Sequence, residues 1–248
     1  MLPDSLNIPE LSEPYAAALM ACLEHVFGSY EVVGIVATGT IIRGTGDSRS
    51  DLDIHVLHAG SFRERVQLFF NGVPCEIFVN PPHRVPAYFE EDKIDRRPVA
   101  PHMYATGVIV FDPLGSVAKL VAEAKTILES PPAAPNSDDL IAPRYGIATE
   151  FEDVEDLADR DRAAAAVMLG SVVVRLAQRR VAEEPGWLPR NKDLMPRLRV
   201  IDAMSADLAE AASSFLPFEN RLAAAKELCR RVTGHTGFFE WTSPRETV

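Results

Sequence analysis

The texture of the chain changes once, near residues 112–117, and that change limits the folds open to it. Before it, short runs rich in Val, Ile and Phe alternate with turn residues: EVVGIVA (31–37), LDIHVLH (52–58), RVQLFFNGVPCEIFVN (65–80) and GVIVFD (107–112). Runs of this kind, bounded by Gly, Pro, Asn and Asp, read as strands. LSEPYAAALMACLEHVF (11–27) reads as a helix leading into the first of them. After the change, Ala, Leu, Arg and Glu recur at helical spacing in SVAKLVAEAKTILE, DRAAAAVMLGSVVVRLAQRRVAEE, DAMSADLAEAASSFL and ENRLAAAKELCRRV. Strands followed by a block of helices predict an α+β chain. A mixed β-sheet domain flanked by helices is expected over 1–115, and a helical bundle over 116–248. SPPAAPNSDD (130–139) breaks two helices and reads as a hinge, with the domain boundary itself placed earlier, at FDPLGS (111–116).

Composition matters here for what it excludes. With 47% hydrophobic residues among 248, the chain has material for two real cores. Its formal charge of -11 works against sequence-independent binding to nucleic acid, which draws on Lys and Arg, and suits a small or cationic partner better. No run approaches the about 18 apolar residues of a membrane span. MLPDSLNIPELSEPY carries Asp and Glu early in place of a basic patch and an apolar stretch, so a cytoplasmic location is expected. Cys22, Cys75 and Cys229 lie far apart with no zinc spacing, as reduced, buried residues would.

The chemistry concentrates in ATGTIIRGTGDSRSDLDIHVLH (37–58). EVVGIVA before it reads as a buried strand, TGTIIRGTGDSRS as a turn plus a short helical segment, and DLDIHVL as a second strand. Side chains alternate along a strand, so Asp51 and Asp53 point one way and Leu52, Ile54 and Val56 the other. Two carboxylates on one face repel unless a cation lies between them, and oxygen ligands of this kind suit Mg²⁺. A polar strand start with solvated aspartates fits the same two residues. Gly39-Thr40, twelve positions before Asp51, offers what a phosphate needs: close backbone approach and a hydroxyl donor. Gly39-x-x-x-x-Gly44-Thr45 misses a P-loop for want of its lysine, and Gly44-Thr45-Gly46 fails as a dinucleotide fingerprint at its last glycine.

GTIIRGTGDSRSDLDIHVL resembles the signature of the DNA polymerase β-like nucleotidyltransferase superfamily, in which Gly-Ser, a variable loop and (S)D-x-D follow in order. Gly39 and Thr40 fall at the Gly-Ser positions, with Thr40 conserving the hydroxyl. Arg43-Gly44 falls at a frequent Arg-Gly, and Ser50-Asp51-Leu52-Asp53 at the aspartate strand. The superfamily takes a third carboxylate from a neighbouring strand, and VPCEIFVN offers Glu76 there, where Asp is more frequent. HMYATGVIVFDPLGSVAKLVAEA resembles the edge strand and connecting helix of bacterial members, and the whole is most similar to two-domain kanamycin and aminoglycoside nucleotidyltransferases.

The resemblance implies transfer of a nucleoside monophosphate, AMP from ATP, to a small hydroxylated acceptor with release of pyrophosphate. It implies two Mg²⁺ ions on Asp51, Asp53 and Glu76, with Glu76 as shared ligand or general base. Gly39, Thr40, Arg43 and Ser50 would bind the nucleotide, and Lys192 in GWLPRNKDLMPRL its β- and γ-phosphates. The helical half would close over the nucleotide and supply the acceptor site. There the run TEFEDVEDLADRD (149–161) is either a solvated helix face or a wall that attracts a cationic acceptor such as an aminoglycoside. Arg230-x4-His235 matches the spacing of HEPN-type RNases, but Gly234 would interrupt the helix that presents it. Two other readings stay open: an antitoxin-like or regulatory module acting on a protein partner, and a catalytically inactive fold relative. The oligomeric state is open, a homodimer included.

Overall fold

In the computed structural model, which describes residues 2–245, the apolar runs of the first half become β1 (Val32–Thr38), β2 (Leu52–His58), β3 (Glu64–Phe70), β4 (Val73–Asn80) and β5 (Val108–Phe111). They form one sheet in the order β3-β4-β2-β1-β5, parallel between β2 and β4 and antiparallel elsewhere. The long run 65–80 is two strands. Asn71 and Gly72 both take positive φ (51° and 80°), which is what a two-residue hairpin turn between right-twisted strands requires.

Strand parity sorts the sheet's two faces. Ile35, Ala37, Leu52, Ile54, Val56, Ile77 and Val79 pack under α1 (Tyr15–Ser29), which presents Ala18, Leu19, Cys22, Leu23 and Val26 at helical spacing. Val36 and Leu57 point to the other face, where they meet α2 (Val85–Ile94), α3 (Val99–Thr106) and α4 (Ser116–Leu128) through Val85, Phe89, Tyr104, Val117 and Leu120. The Pro-rich text 81–106 holds α2 and α3. Pro86 and Pro101 stand in their first turns, where an N–H has no intrahelical partner and its loss does no harm.

The chain divides into two compact units between Pro131 and Pro132, rather than at 115/116. The reason is α4. Its apolar stripe, Val117, Leu120 and Ala124, is buried against the sheet side of the first unit, and Asp112 caps it by accepting the N–H groups of Val117 (3.1 Å) and Ala118 (2.8 Å). FDPLGS is therefore a strand-to-helix turn inside that unit, and the Pro-rich stretch at 130–139 carries the division.

The second unit is the expected helical bundle. It comprises α5 (Asp138–Ala158), α6 (Arg162–Ala182), α7 (Leu194–Ile201), α8 (Ala203–Ser213) and α9 (Phe218–Thr233), packed around Phe151, Leu169, Leu176, Leu198 and Leu228. Asp161 and Asp202 cap α6 and α8 by accepting the N–H of Ala164 (3.0 Å) and Ser205 (3.1 Å). Among the described residues no helix is long and apolar enough to cross a membrane.

Candidate active site

The parallel pairing of β2 with β4 builds the site. It sets Asp53 beside Glu76 and His55 beside Phe78, while β3 brings Gln67 opposite Glu76 and Arg65 opposite Phe78. On the other side β1 sets Thr38 opposite Asp53. One line across four strands thus reads Gln67, Glu76, Asp53, Thr38, on the face away from α1. One carboxylate oxygen from each of Asp51, Asp53 and Glu76 lies within 4.8 Å of the others. The parity argument for the aspartates and the placement of Glu76 on their face both hold.

Electrostatics at this line are uneven. Asp53 is buried, and burial pushes its carboxyl up to about 7, with the charges of Asp51 and Glu76 adding to the rise and Arg43 and Arg65 opposing it. Glu76 is held from one side only. Its Oε1 accepts from Arg65 Nε (2.6 Å), from Arg65 Nη2 and from Gln67 Nε2 (2.6 Å). The Arg65 guanidinium lies over the Phe78 ring at 5.2 Å, and Phe78 stacks on His55 at 4.7 Å with 13° between the planes. Burial pulls His55 down to about 4, so it is neutral at pH 7, with Nε2 3.3 Å from Met103 Sδ.

Residues 39–50 close the site's other side. The expected short helical segment is a single turn: the N–H of Arg43 reaches Gly39 O (3.3 Å) and that of Thr45 reaches Thr40 O (2.9 Å), and Gly44 at φ 72° ends it. Thr40 donates its hydroxyl to Ser50 Oγ (3.1 Å), which also accepts the Asp47 N–H (2.9 Å), so Thr40 and Ser50 tie the two ends of the loop together. Gly39 has φ +96°, and a Cβ there would stand 2.6 Å from Asp53 Oδ2. The missing side chain leaves the backbone open beside the carboxylates. Thr38 Oγ1, at the end of β1, is the one buried side-chain oxygen among the described residues with no partner. Three converging carboxylate oxygens, a cleared backbone and an orphaned hydroxyl fit a divalent cation with an oxygen-rich ligand.

The remaining expected residues lie in the second unit. Lys192 is exposed, on the short 3-10 turn Asn191–Asp193. The acidic run is largely engaged at home: Glu150 pairs with Arg175, Glu155 with Lys226 (2.6 Å), Glu152 accepts the Phe238 N–H (3.1 Å) and Asp161 caps α6. Asp153, Asp156 and Asp159 are its exposed remainder. Arg230 and His235 do not form a pair on one helix, since α9 ends at Thr233, Gly234 turns left-handed at φ 86°, and His235 stacks on Phe239 at 4.1 Å. Sequence reasoning missed Arg65, Gln67 and Thr38. The first two carried a signal, because alternation across the Asn71-Gly72 turn puts them on the face of Glu76.

The sheet and the helical unit that follows it in sequence make a fold shared with solved structures of other proteins. One solved structure with this likeness is the nucleotidyltransferase-like protein from Exiguobacterium sibiricum 255-15, at a TM-score of 0.52 and 16% identity over 88% of this chain and 73% of that one. An aminoglycoside 6-adenyltransferase from Bacillus subtilis aligns over 88% of each chain at a TM-score of 0.31 and 11% identity. No protein-family model and no curated protein matches the chain.

Proposed function

We propose that the protein is a metal-dependent nucleotidyltransferase that moves AMP from ATP to a hydroxyl of a small, cationic acceptor such as an aminoglycoside. The observation that carries this reading is the meeting of Asp51, Asp53 and Glu76 within 4.8 Å beside the cleared backbone of Gly39. Mg²⁺ held by these three carboxylates would neutralise the triphosphate and make the acceptor hydroxyl more acidic. The chain's own part is placement. Gly39 lets the triphosphate approach the backbone, Arg43 adds positive charge, and the Thr40–Ser50 bond holds the loop in shape for it. Glu76 already accepts three N–H donors as a carboxylate, which suits a ligand better than a general base. The acceptor oxygen bonds to the α-phosphorus, the bond to the β-phosphate oxygen breaks, pyrophosphate leaves, and the hydroxyl proton passes to water.

Lys192 is proposed to contact the β- and γ-phosphates, and the helical unit to supply the acceptor site, with Asp153, Asp156 and Asp159 attracting the acceptor's ammonium groups. The test is incubation with ATP labelled in its α-phosphate, Mg²⁺, and a panel of aminoglycosides, other hydroxylated small molecules and proteins. Pyrophosphate release that depends on a small acceptor supports the reading. Label on protein moves the function to a regulatory modification, and neither ATP binding nor turnover leaves an inactive relative.

A further inference from the structure

We infer that Arg65 and Gln67 make Glu76 a one-oxygen ligand and thereby set the site's preference for Mg²⁺ over Ca²⁺. The inference rests on the nucleotidyltransferase reading only in taking Asp51, Asp53 and Glu76 as the cation's ligands. All three N–H donors that reach Glu76 converge on Oε1, and none among the described residues reaches Oε2. A carboxylate oxygen has about two lone-pair directions, so Oε1 is saturated and Oε2 alone is left for a cation.

Each donor is placed by a neighbour in the sheet. Gln67 is the direct cross-strand partner of Glu76 in the β3–β4 ladder, so its amide starts from a fixed point. Arg65 lies over Phe78, and Phe78 stacks on the buried His55, which in turn lies 5.0 Å from the Tyr104 ring. Arg65 Nε and Nη2 both reach the same oxygen of Glu76. The consequence is chemical selection. Mg²⁺ takes six ligands at short distance and keeps several waters, so one oxygen per carboxylate satisfies it. Ca²⁺ takes six to eight and commonly draws both oxygens of a glutamate. With Oε1 occupied, the site withholds from Ca²⁺ the ligand it would use and denies Mg²⁺ nothing.

Arg65 and Gln67 are both exposed on an edge strand, so replacing them leaves the cores alone. The variant that reads geometry without changing charge is Arg65→Lys/Gln67→Leu. Dissociation constants for Mg²⁺ and for Ca²⁺ are measured by titration calorimetry on the full chain at fixed pH and ionic strength, with a metal-free melt confirming that each variant is folded. The ratio of the Ca²⁺ constant to the Mg²⁺ constant is expected to fall about tenfold, at the lower end of what ligand-orienting neighbours contribute. Arg65→Lys alone, which removes the two-pronged donor while keeping the charge, should move it the same way by a smaller factor, which keeps the test decisive if the double variant does not fold. Folded variants that keep the wild-type ratio overturn the inference and leave the nucleotidyltransferase reading standing. A wild-type chain that binds neither cation overturns both.

Discussion

Replacing Asp53 by Asn is expected to stabilise the metal-free protein at pH 8 while destroying its response to Mg²⁺. Asp53 is buried between Asp51 and Glu76, and its carboxyl stands at about 7 against an ordinary 3.8. A carboxyl raised in this way stabilises the folded state fully below the unfolded value near 4, and that contribution is lost as the pH climbs through 7. Above pH 7 the folded chain therefore carries an ionised group it would sooner protonate, whereas Asn carries none. The displacement corresponds to about 4 kcal/mol if the site were dry. Hydration from the side of the exposed Asp51 reduces that to about 1–3 kcal/mol.

Calorimetry in chelator, run from pH 4 to pH 8, reads the effect. For a unit of this size each kcal/mol moves the midpoint by about 3–4 °C, so the variant should melt about 3–12 °C above wild type at pH 8 and level with it near pH 4. Both tryptophans, Trp187 and Trp241, lie in the second unit, so their fluorescence serves as a control that should not move. Mg²⁺ should reverse the order, because saturation to about a thousand times the dissociation constant adds about 4.1 kcal/mol to a chain that binds it and nothing to one that does not. Midpoints that stay level across the pH range in chelator would refute the reasoning about Asp53.

Gly39→Ala should cost about 1–3 kcal/mol in backbone strain and also displace the Asp53 carboxylate, lowering transfer at least tenfold. Gly44→Ala, equally left-handed but with open space around it, should show the strain without the loss of transfer, which parallel melts and turnover assays separate. Thr38→Val removes the orphaned hydroxyl and should leave metal-free stability unchanged or raised by about 1 kcal/mol, read by urea denaturation. In the second unit, burial presses the Asp202 carboxyl up, but bonds from Arg231 and from the backbone and hydroxyl of Ser205 prevail and hold it well below the carboxylate range. Asp202→Ala should therefore cost about 2–4 kcal/mol at pH 7. A depressed carboxyl contributes its stability above the unfolded value near 4 and loses it as the pH falls further, so tryptophan-monitored urea curves should converge towards pH 2.

What the sequence disclosed followed from how local each feature is. The strand LDIHVLH and the common face of Asp51 and Asp53 depend only on alternation, and they stand as read. The Asn71-Gly72 turn was equally local, yet unbroken apolarity on both sides hid it inside one long run. α2 and α3 were illegible because proline, a helix breaker by composition, is harmless in a first turn, and only position decides which role it plays. The boundary at 115/116 followed a change in texture. The texture was right about helices and blind to partners, since nothing in SVAKLVAEAKTILE says which surface will cover its stripe.

The site itself turns on the one relation that no local pattern encodes. Asp53 and Glu76 meet because β4 runs parallel to β2, and it can do so because β3 occupies the edge, leaving β4 to return beside β2. That same hairpin is what delivers Arg65 and Gln67 to Glu76. A one-residue slip in the β3–β4 register would turn both to the opposite face, towards α1, and bring Val66 or Leu68 to theirs. The hairpin that brings Arg65 and Gln67 to Glu76 therefore also decides which of its oxygens is free, so the register set at Asn71-Gly72 would govern the proposed cation binding as directly as the aspartates would.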